Sequence, residues 1–96
     1  MWLMPATYAS VWDALAATPE EAENLRLRAA LMRAITDHLA QQGATPTEQA
    51  HRLGLTRPRL NALVQGRLHH FSLDALVALA ARAGLRIAVE FTAIAG

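Results

Sequence analysis

The sequence predicts a mainly α fold, a bundle of four to five helices followed by one β-strand. Three observations carry this. Apolar residues recur at i, i+3 and i+4 through the middle of the chain, Thr-Pro pairs at Thr18-Pro19 and Thr45-Pro46 mark helix starts, and the apolar period changes from 3.6 to 2 after Gly84. At 96 residues the chain has one domain's length, with roughly 60 to 65% of its unfolded surface buried on folding. The reading divides it into an N-terminal arm over residues 1–9, partly disordered, a helical domain over 10–84 and a strand over 85–92.

The opening MWLMPATYAS is apolar but shorter than a membrane span, and lacks the basic start and apolar run of a signal peptide. Pro5 breaks any helix begun before it. Val11, Trp12 and Leu15 form a short apolar turn, with Trp12 an anchor in the core or at a subunit interface. Thr18-Pro19-Glu20-Glu21 has capping-box chemistry, with Pro at N1 and acids where the helix dipole favours them. A helix of about six turns follows. Leu25, Met32, Ile35 and Leu39 form its inward stripe, Leu27 and Leu31 widen it, and Gln42-Gly43 ends it. Glu20, Glu21 and Glu23 precede Arg26, Arg28 and Arg33 at spacings suited to surface pairing, each pair worth a few tenths of a kcal/mol. The same surface is open to contact with a second protein.

The stretch PTEQAHRLGLTRPRLNALVQGR, Pro46 to Arg67, organises the rest. Thr45, Pro46 and Glu48 form a second capping box, and Ala50 and Leu53 point inward. Gly54 supplies the positive φ of a sharp turn between two helices. Thr56 caps the second helix, Leu60, Leu63 and Val64 turn to the core, and Gly66 ends it. Arg57, Pro58, Arg59, Asn61 and Ala62 then face solvent. Arg can bind guanine O6 and N7 through two hydrogen bonds, and Asn can do the same at adenine N6 and N7. No acidic residue lies between Gln49 and Leu73, while Arg52, Arg57, Arg59, Arg67, His51, His69 and His70 all do. This is a helix-turn-helix suited to the DNA major groove.

Arg67 to Phe71 reads as a loop. Ser72 and Asp74 open a further helix, with Leu73, Leu76, Val77, Ala80 and Ala83 inward and Gly84 at its end. In the run Leu85 to Thr92, Leu85, Ile87, Val89 and Phe91 share one face and Arg86, Glu90 and Thr92 the other. A lone strand leaves its ladder groups unpaired, so the expected partner is the same strand of a second subunit across a two-fold axis. Pairing with the N-terminal segment of the same chain is the alternative.

Composition excludes much else. No Cys is present, which removes disulfides, thiolate nucleophiles and Cys-based zinc sites and fits a cytoplasmic setting. His38, His51, His69 and His70 form no metal-ligand spacing, so no metal or other cofactor is expected. No phosphate loop or catalytic constellation is recognisable, and no enzyme activity is expected. All nine basic residues are Arg, and the net charge of +1 requires any nucleic-acid contact to come from a local patch.

The pattern GATPTEQAHRLGLTRPRLNALVQGR resembles the helix-turn-helix of the XRE or lambda-repressor-like superfamily. With the runs SVWDAL, TPEEAENLRLRAALMRAI and HFSLDALVALAARAGLRIAVEF, the chain from about Ser10 to Phe91 is similar to XRE-type antitoxins of the HigA kind. That resemblance implies a small homodimeric repressor encoded beside a RelE/HigB-like toxin, binding a palindromic operator in double-stranded DNA. By position it implies DNA contacts at Thr56, Arg57, Pro58, Arg59 and Asn61; Arg67 is added to the DNA-binding residues from the acid-free basic stretch. Pro46 stands where many relatives carry a Gln that donates to a phosphate, so that contact is absent or passes to Thr47. A stand-alone regulator and a protein-interaction module without DNA binding remain the other readings.

Overall fold

The computed structural model describes residues 16–94, so the arm at 1–9 and the turn at Val11, Trp12 and Leu15 lie outside the described residues. Four α-helices follow in order: α1 (Pro19–Gln41), α2 (Pro46–Leu53), α3 (Arg57–Val64) and α4 (Leu73–Arg82), with a 3₁₀ turn at Leu68–His70 between the last two. α1 packs against α4, α3 and the 3₁₀ turn, while α2 packs against α3 and α4.

The helix starts are local chemistry. Thr18 accepts from the Glu21 N–H at 3.0 Å and Thr56 from the Arg59 N–H at 3.3 Å. Ser72 accepts from the Ala75 N–H at 3.1 Å. Thr45 and Glu48 form the full capping box: the hydroxyl accepts from the Glu48 N–H and the carboxylate accepts from the Thr45 N–H at 2.8 Å. At α1 the box is displaced. Glu21 accepts from the Ala17 N–H at 2.7 Å, one residue before the cap.

The helix ends share one device. After α2, α3 and α4, a glycine with φ of 69°, 75° and 88° lets the chain turn back. The N–H groups of Leu55, Arg67 and Leu85 then donate to the carbonyls of Ala50, Ala62 and Ala80, closing three Schellman motifs.

One continuous core results. Ile35, Leu39, Leu53, Leu60, Leu63 and Leu76 are its most deeply buried side chains, each stabilising the fold by about 1.5–3 kcal/mol. Phe71 is buried among them. The stripes depart from the sequence reading at their edges. In α3, Val64 is 49% exposed and Ala62, expected in solvent, is 8% exposed. The helix is rotated so that Leu60, Ala62 and Leu63 are buried and Val64 is left at the rim. In α4, Val77 is half-exposed and Leu79 is buried, because the helix is rotated to centre Leu76, Ala80 and Ala83 on the core. Leu27 of α1 is exposed and Leu31 only partly buried, while Ala22 joins the buried residues.

Surface pairing along α1 is narrower than the charge order predicts. Among the described residues it reduces to Glu23 with Arg26, whose bond lowers the Glu23 carboxyl and raises the Arg26 guanidinium. Arg28 instead bonds the Asn24 side chain and donates to the Leu68 carbonyl at 3.1 Å, tying α1 to the segment after α3.

The predicted strand does not form among the described residues. Leu85 packs on the core, but exposure rises to 43% at Ile87, 71% at Val89 and 92% at Phe91. A strand requires a neighbouring backbone to complete its ladder, and none of the described helices offers one.

Candidate nucleic-acid interface

α2, its turn and α3 form the helix-turn-helix. Its angle is fixed at the turn by more than the Gly54 backbone. Arg82 of α4 reaches across and donates to the Leu53 carbonyl at 3.0 Å, satisfying a carbonyl at the end of α2. A Cβ at Gly54 would press on that guanidinium, so a larger residue must displace the Arg82 side chain from the Leu53 carbonyl in addition to adopting the positive φ.

α3 turns Leu60, Ala62 and Leu63 inward, leaving Arg57, Pro58, Arg59, Asn61 and Gln65 on its outer surface. Pro58 sits in the first turn, where its missing N–H has no helical partner to lose. Arg57 donates to the Thr47 hydroxyl at 3.2 Å, joining the two motif helices at their outer edge. Thr47 thus stands beside the first residue of α3. Arg59 behaves differently: its guanidinium lies 4.3 Å from the centroid of the Phe71 ring. Arg67 donates through Nε to the Gln65 side chain at 2.9 Å.

A surface depression of about 520 Å³ gathers much of this chemistry. Thr56, Pro58, Arg59, Asn61 and Arg67 line it, joined by Ala62, Gln65 and His70. Gln65 and His70 were not singled out as contact residues from sequence. The signal for Gln65 was present, since it lies four residues after Asn61 and so on the same helical side. His70 is brought in only by the 3₁₀ turn. No carboxylate lines the depression. Arg57 and Thr47 stand outside it, on the α2 side of the motif.

The arrangement can receive a polyanion. Exposed guanidinium and amide donors occupy one side of a short helix whose other side is fixed in the core. Among the described residues no three His, Asp or Glu side chains gather as a metal site, and no helix is long and apolar enough to cross a membrane. Leu85, Ile87, Val89 and Phe91 lie apart from the motif in sequence and carry no pairing among the described residues.

A comparison with curated proteins finds no match. A family model described as a helix-turn-helix domain matches residues 15–92, which takes in all four helices and most of the segment after α4. On that match, together with the α2–turn–α3 geometry, the chain belongs to the helix-turn-helix domain family of DNA-binding regulators.

Proposed function

We propose that the protein is a sequence-specific transcriptional repressor that binds DNA as a homodimer and serves as the antitoxin and autoregulator of a type II toxin–antitoxin pair. The observation that carries the DNA-binding part is the outer side of α3: Arg57 and Asn61 are exposed on a helix anchored by Leu60 and Leu63, within an acid-free stretch of chain. Arg57 and Asn61 reach base edges, while Thr47, Thr56, Pro58, Arg59 and Arg67 complete the contact surface. No catalytic role is assigned to any residue.

The dimer reading is supported by the alternation of Leu85, Ile87, Val89 and Phe91 and by their rising exposure. Paired antiparallel with a second copy, these residues would cover their apolar side and complete a backbone ladder. Two copies of α3 would then meet successive major grooves about 34 Å apart. The antitoxin part is supported by the likeness to HigA-type proteins from about Ser10 to Phe91. A small basic RelE-like reading frame beside this one, whose product co-purifies with the protein, would separate it from a stand-alone regulator.

The DNA-binding test is fluorescence anisotropy on duplex from upstream of the protein's own reading frame, against a scrambled duplex, at two salt concentrations. Specific recognition keeps the upstream complex at moderate salt while the scrambled complex dissociates. Equal, steeply salt-sensitive binding to both contradicts it. Arg57→Ala and Asn61→Ala are each expected to cost about 1–3 kcal/mol on the upstream duplex.

A further inference from the structure

Resting on the DNA-binding reading, we infer that Arg59, Arg67 and His70 form a seat for the DNA phosphodiester backbone, so that Arg59 sets affinity without setting sequence preference. The sequence assigns Arg59 to base recognition alongside Arg57 and Asn61. Its surroundings assign it elsewhere.

The guanidinium of Arg59 lies over the ring of Phe71, 4.3 Å from its centroid, and Phe71 is itself buried in the core. One face of the guanidinium is therefore occupied by a fixed partner, and its N–H donors remain free in the plane around its edge. An arginine that reads guanine must reach O6 and N7 on the base edge, whereas the contact with Phe71 keeps this guanidinium in the depression that Arg67 and His70 also line. An arginine that binds a phosphate can stay where it is. Arg67 and His70 line the same depression, Gln65 bonds the Arg67 Nε, and no carboxylate competes for the cations. The concave shape matters too. Tetrahedral phosphate oxygens can meet donors converging from the α3 side and from the segment after it, whereas a flat base edge needs donors in one plane.

The test compares wild type, Arg59→Ala, Arg59→Lys and Asn61→Ala on the upstream and scrambled duplexes across a salt series, with circular dichroism to confirm each fold. Arg59→Ala is expected to weaken both complexes by the same factor, on the order of tenfold, and to reduce the slope of log K against log salt by about 0.9. Arg59→Lys keeps the charge but not the stacked plane, so it keeps the slope and loses part of the affinity. Asn61→Ala should instead lower the ratio of upstream to scrambled affinity. A collapse of that ratio in Arg59→Ala, or unchanged affinity and slope, overturns the seat and leaves the DNA-binding reading intact. Wild type that binds both duplexes alike ends the claim of specific recognition, and the seat then stands or falls on the slope alone. Wild type that binds neither overturns both.

Discussion

At Gly54 two demands coincide, a φ of 69° and the Arg82 guanidinium bonded to the neighbouring Leu53 carbonyl. Gly54→Ala therefore meets backbone strain and a steric conflict together and is expected to destabilise by about 2 kcal/mol, measured by urea denaturation. Arg82→Ala removes the conflict, so the double variant should lose less than the sum of the singles, and strict additivity would contradict the contact. Glu48 supplies a pH test. The Thr45 N–H and hydroxyl hold its carboxyl below the usual range, so its stabilisation is present above the unfolded-state value near 4.3 and lost as pH falls through the lower folded value. The stability gap between the protein and Glu48→Gln should thus be steady at neutral pH and close below about pH 4. A gap unchanged down to about pH 3 would rule out the charged bond. The capping roles of Thr45, Glu48 and Thr56 were legible because they act within three residues. The roles of Arg28 and Arg82 were not, since their carbonyl partners stand 40 and 29 positions away. Nor was the stack of Arg59 on Phe71, which depends on where the 3₁₀ turn brings the ring.

Among elements, the short helix α3 depends on its ends. Eight residues are too few to hold a helix by propensity alone, so Thr56, the Gly66 turn and the packing of Leu60 and Leu63 must supply the rest. Thr56→Ala is expected to cost about 1 kcal/mol in thermal unfolding, with Thr56→Ser restoring most of it. The corrected orientation of α3 is equally testable. Leu63→Ala should cost about 2–5 kcal/mol, whereas Val64→Ala should stay within about 0.5 kcal/mol because its side chain is half in solvent. A large loss at Val64 would restore the orientation expected from sequence. Periodicity located the stripes but not their edges. Ala62 against Val64, and Val77 against Leu79, are decided by which neighbour covers each flank, and one helix's pattern does not contain its neighbours.

For the molecule as a whole, a net charge of +1 leaves little long-range attraction to DNA. Recognition then rests on local donors, and on a second copy if Ile87, Val89 and Phe91 pair across a two-fold axis. Sedimentation should find a dimer at micromolar concentration, and Val89→Asp with Phe91→Asp should give a monomer of unchanged helicity with weakened upstream-DNA binding. A dimer that survives both substitutions would place the interface elsewhere. The four helices of the described residues were legible in the sequence, which predicted four to five, and so was the alternation after Gly84. Whether alternation becomes a strand depends on a second backbone, which a single chain's pattern does not specify. The division of α3 into a core side and an outer side has a consequence for substitution. Arg57, Pro58 and Asn61 face outward while Leu60, Ala62 and Leu63 hold the helix. The outer residues can therefore be exchanged with little loss of folding stability, so if α3 reads DNA as proposed, a new target preference requires no new body.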